Sequence, residues 1–349
     1  MKQQSKSIAL TAAYKPAAIR ALPRLFVPVL LAALALFVLL VYMACTKTGP
    51  GDTPPPPPAS DLANYPIPVQ RLRVRDPFIL KDEASKAYYL NVSTGSGFKT
   101  YSSKDLLNWR DDGSSFTPGS DFWGKSDFWA PDTYFYKGKY YIFATFSGST
   151  AKRGTSVLIS DKPGGPFQPL VNQAVTPADW MALDGSLYID DENKPWILYC
   201  REWLEVTDGQ VVAQRLSEDL KNASGEPVVL FSAGQAGWTG TITYGSKVGY
   251  VSDAPFIYRA KNGELLMTWS SFTKTGKYAI GLSRSTSGTI AGPWLHDAAP
   301  LNDDDGGHAM LFNDFSGQLT ISYHAPNSLT EHAVVYKVSE NNGKLLINK

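Results

Sequence analysis

The sequence predicts an all-β fold, a five-bladed β-propeller with about four antiparallel strands per blade. Three observations point there. One unit recurs five times: a polar residue, a short β-rich run, a turn with Gly, Asn or Asp, and a second β-rich run. The lead residues of the units are Asp76, Asp132, Asp184, Asp253 and His308, separated by 56, 52, 69 and 55 residues. Helical periodicity is scarce, and Val, Ile, Tyr, Phe, Trp and Thr fill the runs, as a pleated surface favours. Multi-stranded repeats of this length are the signature of a propeller.

The units read RDPFILKDEASKAYYLNVS from Arg75, PDTYFYKGKYYIFATFS from Pro131, LDGSLYIDDENKPWILYC from Leu183, SDAPFIYRAKNGELLMTWS from Ser252 and GHAMLFNDFSGQLTISYH from Gly307. Later runs complete each blade; in the second unit they are TSVLIS and PFQPL. The turns KGK, DKPGG and NDFSG separate them. Five such units take up residues 62–349 almost completely.

The N-terminus has a different composition. Residues 1–45 hold Lys2, Lys6, Lys15, Arg20 and Arg24, no acid, and then about 20 apolar positions ending at Cys45. A basic stretch, an apolar stretch and a small residue before a cysteine read as an export signal. Cys45 resembles a bacterial lipoprotein acceptor, although Tyr42 stands where Leu is usual. An uncleaved helical anchor is the alternative, since ~20 apolar residues span a bilayer. Either way the remainder is expected outside the cytoplasm, attached to a membrane by lipid or helix. Residues 46–61, with five consecutive prolines, form an extended tether.

Beyond residue 44 the acids outnumber the bases, 32 to 28. With no basic stripe, nucleic acid is not an expected partner. If Cys45 is lipidated, Cys200 has no partner for a disulfide, and within WILYC it reads as a buried small side chain.

In a propeller the first strand of each blade lies nearest the axis, so equivalent positions form a ring at one mouth of the central channel. Asp76, Asp132, Asp184, Asp253 and His308 are therefore expected to converge. Several carboxylates in one ring cannot all ionise freely, and at least one pKa should rise. That separation of acid from base is what glycoside hydrolysis uses. Asp132, within APDT, is the one most readily explained by turn structure alone.

RDPFI, FWAPDTYFYKGKYYIF, LDGSLYIDDENKPW and GGHAMLF, in this order and spacing, resemble the blade motifs of glycoside hydrolase family 43, which are inverting five-bladed propeller enzymes. The resemblance runs from about Arg73 to the C-terminus. It implies that Asp76 is the general base, that Asp184 tunes the acid and orients substrate, and that His308 faces an axial metal ion or water. The family's general acid is usually a Glu before Gly-Pro or Ala-Pro; here Asp253 holds that place in SDAPF. Asp is shorter by ~1.5 Å, and a misplacement of ~1 Å can cost about 10²-fold in rate. Glu202 in CREW is thus a rival acid or a substrate-binding residue, although register selects Asp253.

Trp129 and Trp180 precede the second and third inner strands and are expected near the mouth, where an indole can stack on a sugar. Zinc is not expected, because no His or Cys has a partner at ligand spacing. No cofactor is required; a structural cation such as calcium is the one candidate, in the central channel. The expected function is an inverting exo-glycosidase on plant-type polysaccharide, an α-L-arabinofuranosidase first, with a β-xylosidase or galactan-active enzyme as neighbours. A non-catalytic glycan-binding propeller is the alternative from another class, favoured by Asp253 in place of Glu. A retaining fructan enzyme would need a Trp-Met-Asn-Asp-Pro-type motif where this chain has RDP.

Overall fold

The computed structural model describes residues 66–349. The export or anchor segment and the proline tether lie outside the described residues. Five antiparallel sheets follow one another along the chain, each a meander of neighbouring strands. This is the expected five-bladed propeller. The inner strands are Ile79–Asp82, Ser126–Tyr136, Ala182–Ile189, Asp253–Arg259 and Gly307–Asn313. In blade 2 the two later runs anticipated from sequence are the strands Gly154–Ser160 and Gln168–Pro169. Blade 1 has a fifth strand, Ile67–Pro68, on its outer edge. Between blades 3 and 4 stands an additional hairpin, Ile242–Tyr244 with Lys247–Gly249. Among the described residues no helix is long and apolar enough to cross a membrane.

The core lies between blades. Phe98 and Phe116 of blade 1 meet Phe128 and Phe146 of blade 2. Phe143 of blade 2 meets Ile197 and Tyr199 of blade 3. Leu198 and Phe231 of blade 3 meet Met267 and Trp269 of blade 4, and Cys200 is fully buried among them. Ile280 of blade 4 packs against Leu311 and Tyr323 of blade 5. Blades 5 and 1 close through Met310 and Ala333 against Val69, Leu72 and Phe78. The Ala333 N–H donates to the Leu72 carbonyl across that seam at 3.1 Å.

In blades 2 to 5 the inner strand slips in register near its head. In blade 3 Leu183 pairs with Cys200, but the next pairing is Ser186 with Leu198. The same slip occurs between Asp253 and Phe256, between Gly307 and Met310, and between Trp129 and Asp132. Such a bulge turns a side chain out of the ladder. The residue just inside each slip has a left-handed backbone: Ala130 (φ 45°), Asp184 (56°), Ala254 (52°) and His308 (60°). Asp76 (53°) has the same conformation ahead of the blade 1 strand.

This register corrects the ring of five equivalent residues. Asp76, Asp184 and His308 are equivalent. Asp253 stands one residue before the left-handed position, which Ala254 occupies, and Asp132 stands two after it, paired with Phe143. The ring was aligned on polar residues, and a bulge occupied by alanine leaves no polar mark.

The left-handed residues are fixed by the preceding blade. The Asp184 N–H donates to Thr145 Oγ1 (2.9 Å), the His308 N–H to Ser270 Oγ (2.8 Å) and the Asp76 N–H to His324 Nδ1 (3.3 Å). In Thr145→Val the Asp184 N–H is left buried and unpaired, so a loss of about 1–3 kcal/mol is expected in chemical denaturation. Thr155→Val is the control. Thr155 is equally buried, but its hydroxyl has no partner, so that change is expected to cost little or nothing.

Candidate active site

The inner strands deliver their heads to a cavity of about 750 Å³. Asp76, Asp184, Asp253, Glu202, Trp129 and His308 all line it. Trp180 does not; its ring is covered by the Arg201 guanidinium, 4.1 Å from the ring centre. Asp132 lies deeper, beside a void of about 10 Å³ that it shares with His308, Pro77 and Ala254.

Asp76 is the best-held acid. Its Oδ1 lies 3.0 Å from His308 Nδ1 and 3.2 Å from His324 Nδ1. Burial works to raise its pKa, but the charge and hydrogen bond of His308 hold it well below the usual carboxylate range. His308 is the counterpart. Burial works against its charge, yet Asp76 and then Asp184, whose Oδ2 is 3.8 Å away, push it up to about 10.

Asp184 accepts the Ala254 N–H on Oδ2 at 3.1 Å. Burial raises its carboxyl, with His308 opposing. Asp253 has no histidine beside it. Burial, and then the charge of Asp184, push it up to about 8, while the Tyr278 hydroxyl, donating to Oδ2 at 2.9 Å, opposes the rise. One cavity thus holds Asp76, whose carboxyl is drawn low, and Asp253, whose carboxyl is pushed up to about 8, each in contact with one ring of a stacked pair. Those rings are Tyr278, bonded to Asp253, and His324, bonded to Asp76, with centres 5.7 Å apart.

Glu202 follows the second strand of blade 3 and starts the short helix Trp203–Val206. Its N–H is fixed on the Met181 carbonyl, and its carboxylate takes a hydrogen bond from Arg153 Nη1. Burial raises its pKa and Arg153 opposes. Arg153 also holds Asp127 (3.0 Å) and lies 4.4 Å from the centre of the Trp129 ring. One face of Trp129 is therefore taken, although the residue remains 40% exposed.

Asp132 accepts the Tyr134 hydroxyl on Oδ2 at 3.3 Å, and its Oδ1 has no partner. Burial pushes this carboxyl well above the usual range. The void beside it has about the volume of one water molecule. Its lining is mostly apolar, whereas calcium takes ~6–8 oxygen ligands. Among the described residues no group of three or more His, Cys, Asp or Glu is arranged around an ion. The residues present do not fit a calcium site.

Sequence reasoning missed Tyr278, His324 and Arg153. His324 had one usable signal, a histidine closing an apolar strand in ISYHA. Tyr278 and Arg153 carry none, because their partners lie in other strands and other blades.

Comparisons with known proteins identify the family. The chain is 57% identical to an endo-arabinase of Bacteroides thetaiotaomicron of known structure, covering 80% of this chain and 99% of that one with a TM-score of 0.79. A thermostable family-43 glycoside hydrolase shares the fold at 22% identity and a TM-score of 0.70, covering 82% of this chain and 96% of that one. Over 260 residues the chain is 27% identical to the extracellular exo-alpha-(1->5)-L-arabinofuranosidase ArbA of Cellvibrio japonicus, spanning 70% of this chain and 72% of that protein. The sequence pattern of glycosyl hydrolases family 43 matches residues 65–344. By that match and by its likeness to the endo-arabinase, this propeller belongs to glycosyl hydrolases family 43, and the protein is a glycoside hydrolase.

Proposed function

We propose that the enzyme hydrolyses α-L-arabinofuranosidic bonds of plant-type polysaccharide with inversion, releasing terminal units. The observation that carries the mechanism is the placement in one cavity of Asp76, with His308 3.0 Å from its carboxylate, and of Asp253, with only the Tyr278 hydroxyl bonded to it, which drives their pKa values apart. Asp76, ionised, takes a proton from a water on one face of the sugar. Asp253, protonated, gives its proton to the leaving oxygen. Asp184 stands between them; its charge helps keep Asp253 protonated, and its free oxygen is available to a sugar hydroxyl. Glu202, paired with Arg153, binds substrate. Carboxylates make both proton transfers, so no cofactor is invoked. The sugar is supported by the two arabinan-directed relatives. Cleavage within the chain is a second reading. It is favoured by a shallow depression around Arg73, Val92 and Leu329 that shares Arg75 and Ser93 with the cavity and extends it on one side.

The test is hydrolysis of arabinan, arabinoxylan, arabinogalactan and nitrophenyl glycosides of arabinose, xylose and galactose. Single arabinose units as the first product support terminal release; a ladder of oligosaccharides supports internal cleavage. Asp76→Asn is expected to lower kcat by about 10²–10⁴-fold with KM little changed. Turnover close to wild type would remove Asp76 from the mechanism.

The acid is tested through pH. Asp253 works when protonated, and that form is lost as pH rises through about 8, so kcat is expected to fall on the alkaline side. Asp253→Asn should abolish that limb, cripple glycan cleavage and largely spare nitrophenyl substrates, whose leaving group needs little protonation. If Glu202→Gln gives this pattern instead, Glu202 is the acid.

We also infer export and attachment through a lipid on Cys45. The N-terminal composition supports this, and the Cellvibrio relative is extracellular by name. Intact mass of the membrane fraction is expected to show the lipid on wild type and none on Cys45→Ser. A wild type without lipid mass would favour a plain helical anchor.

A further inference from the structure

The hairpin Ile242–Tyr244/Lys247–Gly249 belongs to no blade, yet Ile242, Thr243 and Tyr244 line the catalytic cavity. Its strands are joined by the two residues Gly245 and Ser246, with Gly245 at φ 61° as a tight hairpin turn needs. Tyr244, at the last position before the turn, is 70% exposed although it lines the cavity. A two-stranded hairpin is marginal alone, and this one is fixed at its foot. Gly249 lies so close to the short helix Trp203–Val206 that a Cβ would come 2.2 Å from the Thr207 carbonyl oxygen and 2.6 Å from the Trp203 ring. The Tyr250 N–H donates to Thr207 O at 3.0 Å, and Lys247 Nζ donates to Leu204 O.

That foot determines which side of the cavity the hairpin occupies. The helix begins directly after Glu202, and the chain leaving the hairpin reaches Asp253 within four residues of Gly249. The hairpin therefore stands on the side of both candidate acids. Asp76, with its neighbours Arg75 and Ser93, belongs to blade 1. The general acid protonates the leaving oxygen, so the sugar carried by that oxygen lies toward the hairpin.

We infer that Tyr244 is a specificity-determining platform on which the leaving-group sugar of the glycan stacks. A large amphipathic ring held out at the cavity and 70% exposed has little structural reason to be there, and its flat face suits the C–H face of a sugar. The inference rests on the hydrolytic reading above, and it holds whether Asp253 or Glu202 is the acid.

The experiment compares an α-1,5-linked arabino-oligosaccharide, which has a leaving-group sugar, with α-L-arabinofuranosyl fluoride, which has none. In Tyr244→Ala the ratio of kcat/KM for oligosaccharide over fluoride is expected to fall about 3- to 10-fold, chiefly through KM. Tyr244→Phe should restore it, because the ring and not the hydroxyl is used. An unchanged ratio, or a Phe variant as poor as Ala, overturns the proposal. Where wild type proves inert on arabinosides, the proposed sugar fails but the platform is still tested. Affinities of xylan, galactan and arabinan oligosaccharides for Asp76→Asn are then measured with and without Tyr244→Ala. Weaker binding of whichever glycan binds supports the platform; equal binding overturns it.

Discussion

The hydrogen bond from the head of one inner strand to the second strand of the preceding blade is the constraint on which the site depends. It links Asp184 to Thr145, His308 to Ser270 and Asp76 to His324. Each donor residue has a left-handed backbone, which Asp and His tolerate better than most side chains. The bond pins that backbone, and the backbone turns the side chain toward the axis. Blade 3 is the exception that shows the rule. Where blades 2, 4 and 5 offer a hydroxyl or an imidazole, it offers Cys200, opposite Leu183. The next N–H, that of Ala254, goes instead to the carboxylate of Asp184. A residue expected to work on substrate thereby also closes the frame.

Electrostatics then divides the acids. One imidazolium serves a crowded group of carboxylates, and it sits 3.0 Å from Asp76 but 3.8 Å from Asp184. Asp76 takes most of the benefit and ionises readily. Asp253, whose nearest polar partner is the neutral Tyr278 hydroxyl, keeps its proton. Three carboxyls of the same chemistry thus differ because of one shared cation. Such an arrangement separates acid from base.

The blade count was legible because propeller repeats announce themselves by turns and polar heads at regular intervals. The catalytic cavity was legible in outline for the same reason, with Asp76, Asp184, Asp253, Glu202 and His308 all brought to it. The offsets were not. Ala130 and Ala254 occupy bulges that no local preference marks, so Asp132 and Asp253 were counted in a register that they do not share. Trp180 lies next to a motif in sequence, but its ring turns to Arg201. His324 contacts Asp76 across 248 residues of chain, a pairing that follows from closure of the ring and from nothing near either residue. The hairpin with Tyr244 has readable strand and turn signals, but a four-stranded blade left no place for it.

Gly307 has a consequence for the whole rim. It is the blade 5 counterpart of Trp129, Leu183 and Asp253, each of which sends a side chain into the cavity. A Cβ on Gly307 would come 2.3 Å from the Tyr278 ring. Its bareness lets a side chain of blade 4 lie across blade 5, reaching Asp253 with its hydroxyl and His324 with its face. Five similar blades alone would form a rim with no preferred direction, indifferent to a fifth of a turn. One vacant position filled from next door adds to the differences between blade heads that give this rim a direction, and a lopsided rim can tell the two ends of a sugar apart.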